Sequence, residues 1–154
     1  MADIQNDALL LDNQLCFPLY AASREVVKRY RPHLDEINLT YTQYITMLVM
    51  WERGQCSVKE LGKRLYLDSG TLTPVLKSLE QKGYLRRFRS PQDERVLLAE
   101  LTVTGQELKA AAADVPQKVG CALNLSPDKA AELYMLLHEL LNSMQEPGEK
   151  LEQK

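Results

Sequence analysis

Three cysteines, Cys16, Cys56 and Cys121, and two histidines, His33 and His138, are the residues whose types allow redox or metal chemistry. No two of the cysteines stand three apart. A dithiol motif and a zinc knuckle therefore lack their usual spacing, and an odd count at wide intervals does not make a secreted disulfide framework. No metal and no cofactor are expected. Cys16 has the most suggestive surroundings, in LDNQLCFPLYAASREVVKRY, residues 11–30, between Leu15 and Phe17 at the front of an amphipathic pattern. Two readings stand at this point. Free cysteines are among the most buried residue types, and a cysteine that does chemistry must act as its thiolate. Cys56 lies beside a turn and just before a helix cap, and reads as a packing residue.

The second chemical group is basic. Residues 53–95 hold ten Lys/Arg and five Asp/Glu, so this block carries about +5 while the rest of the chain carries about −7. A net charge of −2 conceals a module suited to nucleic acid. Its candidate contacts are Lys63 and Arg64, then Ser69, Thr71, Thr73, Lys77 and Gln81, then Arg86, Arg87, Arg89, Asp93 and Arg95. Small hydroxyls suit phosphates or a close approach to base edges. An arginine at a loop tip suits a narrow minor groove, and Asp93 would orient the tip by a charge-assisted hydrogen bond.

The elements that must position these groups are mostly helical. Leu15, Leu19, Ala22 and Val26 define one face of a first helix that should end near Arg31-Pro32, because proline disfavours helix in its predecessor. Thr40 with Gln43, and Ser57 with Glu60, read as capping boxes opening YTQYITMLVMWE and VKELGKRL. RGQC between them reads as a turn. SGTLTPVLKSLEQKG is a further helix stopped by Gly83, with Pro74 awkward unless near its first turn. Tyr84–Phe88 and Val96–Leu101 then read as two strands around the polar tip RSPQDER. Two short helices followed by a basic strand pair describe a winged helix-turn-helix.

The last third returns to helix. TVTGQELKAAAADVPQKVGCALN reads as one long helix kinked near Pro116, and Ser126-Pro127 opens a helix with Leu133, Leu136, Leu137, Leu140, Leu141 and Met144 on an apolar stripe. The expected organisation is a single domain over 1–154, mainly α with a small β-hairpin wing. Residues 54–101 form its DNA-binding region, and helices at 12–32 and 104–146 pack chain ends into a homodimer.

The chain resembles the MarR family of dimeric winged-helix regulators over nearly its whole length. SVKELGKRLYLDSGTLTPVLKSLEQKGYLRR and the Asp93-Glu94-Arg95 element of the wing carry the resemblance. Within the family it is similar to the organic hydroperoxide resistance repressors, through LCFPLYAASREVVKRYRPHLDEINLTYTQY. The resemblance implies a dimer on a pseudopalindromic double-stranded operator that represses a peroxidase gene. It also implies Cys16 as the peroxide sensor, Tyr30 and Tyr41 as hydrogen-bond donors to it, and Cys121, in VGCALN, as the resolving cysteine of a two-cysteine switch reset by a thiol or dithiol.

Two other classes are open. One is a repressor of the same fold released by an aromatic or lipophilic ligand, with Cys16 merely buried. The other is a thiol peroxidase, for which an arginine-rich wing has no use, so no enzymatic activity is expected. The start MADIQND lacks a secretory pattern and no run of about 18 apolar residues occurs, so a cytoplasmic protein without membrane contact is expected.

Overall fold

A computed structural model describes residues 7–145. The outermost positions of the 1–154 domain and of the 104–146 helical region lie outside the described residues. A single 3-10 turn at Leu11–Asn13 leads into α1 (Cys16–Asp35), followed by α2 (Tyr41–Arg53), β1 (Gln55–Ser57), α3 (Val58–Leu65) and α4 (Ser69–Gln81). Then come β2 (Leu85–Arg89), β3 (Leu97–Leu101), α5 (Val103–Ala112), α6 (Val115–Ala122) and α7 (Pro127–Gln145). The chain divides into two units that meet between Val119 and Gly120. Among the described residues no helix is long and apolar enough to cross a membrane.

Helix starts follow local chemistry. The Thr40 side chain accepts from the Gln43 amide while the Gln43 side chain takes the Thr40 amide, and Ser57 with Glu60 makes the same reciprocal pair. Each box satisfies two amides that the first helical turn otherwise leaves without partners. At α4 the Asp68 carboxylate accepts from the Thr71 amide at 2.8 Å, which holds the carboxyl below its ordinary pKa. Gly83, at φ +80, ends the turn after α4 in a conformation that side chains resist.

The first unit is built around α2, which buries Gln43, Tyr44, Thr46, Met47, Val49 and Met50. Leu34 comes from α1, Leu61 from α3, and Leu72, Leu76 and Leu79 from α4; Leu85 and Ala99 come from the sheet. Each buried leucine contributes on the order of 1.5–3 kcal/mol relative to exposure. The leucines of α4 fall on one side of the helix, which leaves its opposite side to solvent.

Three elements differ from the pattern in the sequence. Helix α1 does not stop at Arg31-Pro32 but runs through Pro32 to Asp35. Pro32 and Lys28 are both exposed, so water can satisfy the Lys28 carbonyl that proline leaves without a donor. Leu34, 1% exposed, ties the following turn to the core. RGQC is more than a turn: Gln55–Ser57 pairs antiparallel with β3 through Gln55↔Glu100, Cys56↔Ala99 and Ser57↔Leu98. The wing hairpin is thus part of a three-stranded sheet of order β1-β3-β2. The single long helix near Pro116 is instead α5 and α6, broken at Ala113-Asp114. Pro116 then stands in the first turn of α6, where its missing amide costs nothing.

Helix α5 is pressed onto the sheet. The Trp51 indole donates to the Gly105 carbonyl at 2.8 Å, and a methyl group added at Gly105 would lie 2.0 Å from the Tyr84 carbonyl oxygen and 2.9 Å from Leu101 Cδ1. Backbone has no way to give at that distance. Gly105→Ala is therefore expected to lower stability by about 2 kcal/mol or more, seen as an earlier urea midpoint with an unchanged slope; a wild-type midpoint would contradict the packing.

Candidate functional site

Two sets of residues carry the candidate chemistry, a basic face on α3, α4 and the wing, and a set of thiols and phenols on α1, α2 and α6. On α4, Ser69, Thr71, Thr73, Lys77 and Gln81 are all exposed, opposite the buried leucines. Two of the hydroxyls already have local partners: Thr71 Oγ1 donates to Asp68 at 3.3 Å and Thr73 Oγ1 to the Ser69 carbonyl at 2.7 Å. They remain available to an incoming group as acceptors. The exposed ring of Pro74 sits on the same helix, beyond its first turn, and gives no amide to the Gly70 carbonyl.

The arginines separate by partner. Arg87 donates to Glu80 through Nη2 at 2.9 Å and Nε at 3.2 Å, with its backbone amide on the other carboxylate oxygen at 2.8 Å. Its side chain is 20% exposed, and the arginine holds the Glu80 carboxyl below the usual range. That geometry staples α4 to β2. Arg64 pairs with Glu52 at 2.6 Å, and Arg86 pairs with Glu100 on the neighbouring strand while lying over the Phe88 ring. Arg95 differs, because its side chain is 91% exposed even though Nε and the backbone amide both donate to Asp93 Oδ1 at 3.0 Å. Asp93 thus fixes the direction of a guanidinium that projects from the wing tip, and Arg95 in turn lowers the Asp93 pKa. Arg89 donates to the Arg95 carbonyl at 3.3 Å.

Between α3, the start of α4 and the wing lies a cavity of about 500 Å³. Lys59, Lys63, Ser69 and Arg95 line it over an apolar floor that includes Leu67 and Leu72. Lys59 was not singled out from the sequence, although its i, i+4 relation to Lys63 was available as a signal. Three of its lining side chains, Lys59, Lys63 and Arg95, are cationic.

The phenols gather at the far end of α1. Tyr30 and Tyr41 have ring centroids 4.9 Å apart, and Tyr44 joins them at 5.7 and 6.5 Å. Burial raises the pKa of all three, so they are neutral O–H donors at physiological pH. Tyr44 is an addition to the expected pair, legible only as the i+3 neighbour of Tyr41.

Cys16 is exposed and unbonded as the first residue of α1, and Cys121 is exposed and unbonded on α6. Cys16 and Tyr30 lie fourteen residues apart on one continuous helix, which at about 1.5 Å per residue separates them by roughly 21 Å. One chain does not bring its own phenols to its own Cys16. Around Cys16 the side chains of Leu15, Phe17, Leu19 and Tyr20 are exposed, Leu15 at 84%. In the second unit Leu133, Tyr134, Met135, Leu136, Leu140 and Met144 of α7 are exposed as well. Cys56 is buried, with its thiol 3.9 Å from the Met50 sulfur, and burial pushes its pKa up. Among the described residues no group of three His, Cys, Asp or Glu is arranged to hold a metal ion.

Residues 28–112 match the family model described as transcriptional regulator SarA/Rot. The chain is 48% identical over 141 residues to the organic hydroperoxide resistance transcriptional regulator of Bacillus subtilis, covering 90% of this chain and 94% of that one. Among solved structures, reduced AbfR bound to DNA superposes with a TM-score of 0.75 at 33% identity, covering 93% of this chain and 100% of that one. AbfR, from Staphylococcus epidermidis, has also been solved with its disulfide formed, and there the TM-score is 0.61 at 34% identity, over 92% and 99% of the two chains. A mutant MarR from E. coli, complexed with operator DNA, gives 0.76 at 26% identity over 91% and 99%. With its three-stranded winged helix-turn-helix and its exposed α4 face, the chain belongs to the MarR family of winged-helix transcriptional regulators, in the group of the SarA/Rot and organic hydroperoxide resistance regulators.

Proposed function

We propose that a cytoplasmic homodimer of this chain represses transcription from a pseudopalindromic operator and leaves it when an organic hydroperoxide oxidises Cys16. One observation carries this reading: Cys16 is an exposed, unbonded thiol at the head of α1, set in an exposed apolar face. That face and the exposed stripe of α7 are each large apolar surfaces of the sort that a second copy covers. A two-fold dimer presents two α4 helices to half-sites about one helical turn apart.

The chemistry balances with the named groups. The Cys16 thiolate attacks the terminal oxygen of the hydroperoxide, the O–O bond breaks, and the departing alkoxide takes up through solvent the proton the thiol gave up, leaving an alcohol and Cys16 as sulfenic acid. A second thiol, Cys121 of the partner subunit, then displaces water from that sulfur to form a disulfide. A dithiol returns both cysteines to thiols and is itself oxidised. Since Cys16 and Tyr30 of one chain are separated by the length of α1, the phenols that donate to Cys16 in this reading come from the partner subunit. A disulfide needs Cα atoms within about 7 Å, so closing it draws helices together and turns the attached wings out of register with DNA. Supporting this, the relative AbfR is known both reduced on DNA and with a disulfide formed. The relatives are transcriptional regulators, which sets aside the thiol peroxidase.

Three outcomes are expected with a DNA duplex selected from a random pool by the reduced protein. Treatment with one equivalent of cumene hydroperoxide per chain yields a covalent dimer mapped to Cys16 and Cys121 by non-reducing mass spectrometry, with loss of DNA binding restored by dithiol. Cys16→Ser keeps DNA bound through the same treatment, and Cys121→Ser gives a monomer mass with oxidised Cys16 alone. Release of Cys16→Ser from DNA by an aromatic ligand, with wild type insensitive to peroxide, would instead select the ligand-responsive repressor.

The phenols should control rate. Tyr30→Phe or Tyr41→Phe, each removing one hydrogen bond to the developing charge, slows Cys16 oxidation by roughly tenfold or more. Because burial raises the tyrosine pKa values, the phenols stay protonated as pH rises, and no tyrosine-linked loss of rate appears between about pH 6 and 9. Stopped-flow oxidation across that range reads both effects, and unchanged rates in the Phe variants would remove the tyrosines from the site.

On the DNA side, Arg95→Ala weakens binding and lowers the slope of log affinity against log salt by about one. Arg87→Ala acts chiefly on stability, through loss of the guanidinium bonds to Glu80. Anisotropy titrations at several salt concentrations distinguish a phosphate or groove contact from a staple, and equal slopes for wild type and Arg95→Ala would deny the wing arginine a place on DNA.

A further inference from the structure

One polar cluster belongs neither to the thiol site nor to the DNA face. Gln43, 6% exposed, has both its amide oxygen and its amide nitrogen engaged. Its Oε1 accepts from the Thr40 backbone amide at 3.0 Å and from the Lys82 ammonium at 3.0 Å, while its Nε2 donates to Ser78 Oγ at 3.0 Å. Lys82 Nζ also donates to the Asn38 carbonyl at 2.6 Å. Asn38 holds a left-handed φ of +54 in the turn between α1 and α2.

The cluster joins two distant places in the sequence. Asn38 and Thr40 form the turn whose flanking helices carry Tyr30 and Tyr41, and Tyr41 directly follows the capping Thr40. Ser78 lies in the last turn of α4 and Lys82 caps its end. Separating the turn from α4 would leave the buried Gln43 amide nitrogen without the Ser78 hydroxyl and its oxygen without Lys82, and buried polar groups resist that. Lys82 is half-buried, and two of its three donors are taken. It is therefore poorly placed to serve a phosphate.

We propose that Lys82 and Gln43, with Ser78, are positioning residues that form a strut, through which the turn between Tyr30 and Tyr41 sets the placement of α4 on DNA. This rests on the reading that oxidation of Cys16 controls DNA release, and it names the route from the phenols to the helix. Displacement of the tyrosines at the partner's thiol moves the turn, and the strut carries that movement to the end of α4.

The test uses the full chain and the pool-selected duplex, with circular dichroism melts confirming that each variant is folded. In the reduced protein, Gln43→Met and Lys82→Met each weaken binding roughly three- to tenfold, and the double variant weakens it no further than the worse single. The salt slope stays that of wild type, unlike the loss of a phosphate contact. After cumene hydroperoxide treatment, with Cys16 oxidation verified by intact mass, the ratio of oxidised to reduced Kd falls about tenfold or more below the wild-type ratio. Gln43→Glu retains wild-type behaviour, since a carboxylate accepts from Thr40, Lys82 and the Ser78 hydroxyl alike. Additive losses, a salt slope lowered by about one in Lys82→Met, or a wild-type ratio in variants whose Cys16 is oxidised would each overturn the strut. If wild type itself keeps DNA after oxidation, the redox reading fails. The reduced-state cycle then decides the strut alone, upheld by non-additive loss at unchanged slope and overturned by additive loss.

Discussion

An uninterrupted α1 of twenty residues keeps the Cys16 thiol and the Tyr30 phenol at opposite ends of a rigid rod, and the rest of the site depends on that separation. A helix does not shorten under modest load, so no movement within one chain brings the two groups together. In the redox reading proposed above, a thiol at one end and phenol donors at the other make a site only when a second copy supplies the missing half. The oligomer is in this way part of the chemistry. In that reading the exposed leucines and phenylalanine beside Cys16 also wall the pocket that a dimer closes.

The persistence of α1 through Pro32 bears directly on this. A helix ending at Arg31 would have left the tyrosine ring on a fraying turn. Burial of Leu34 and the packing of Tyr30 against Tyr41 and Tyr44 hold the last turns, so the phenol cluster is a rigid feature of the core edge. Desolvation there keeps the phenols protonated, which suits donors to a thiolate and is unsuitable for a base.

On the DNA face, the surplus of positive charge is smaller than the count of basic residues suggests. Arg64, Arg86 and Arg87 are tied to Glu52, Glu100 and Glu80, and they act first as braces for α3, the sheet and α4. In the proposed reading Lys59, Lys63, Lys77, Arg89 and the exposed Arg95 are the cations that meet phosphate or groove. Surface pairs are individually weak, yet Asp93 sets the direction of Arg95 at the wing tip. Specific placement of a few charges matters more to a groove than their sum.

The sequence by itself determined the local starts and stops and the order of elements. Capping boxes at Thr40 and Ser57, the Gly83 stop, the leucine face of α4 and the hairpin around RSPQDER are all written in side chains a few residues apart, and local hydrogen bonds and periodicity enforce them. It also marked Cys16, Tyr30 and Tyr41, through a motif. Strand β1, the run of α1 past proline, the break before α6, the third tyrosine and the Gln43–Lys82 connection were decided by the tertiary structure. For β1 and the Gln43–Lys82 connection the partners are dozens of residues away: Ala99 for Cys56, Ser78 for Gln43, Asn38 for Lys82. A three-residue strand has too few residues to show a period, a buried glutamine reads like any polar residue, and only the folded core supplies the energy that overrides a proline's local preference.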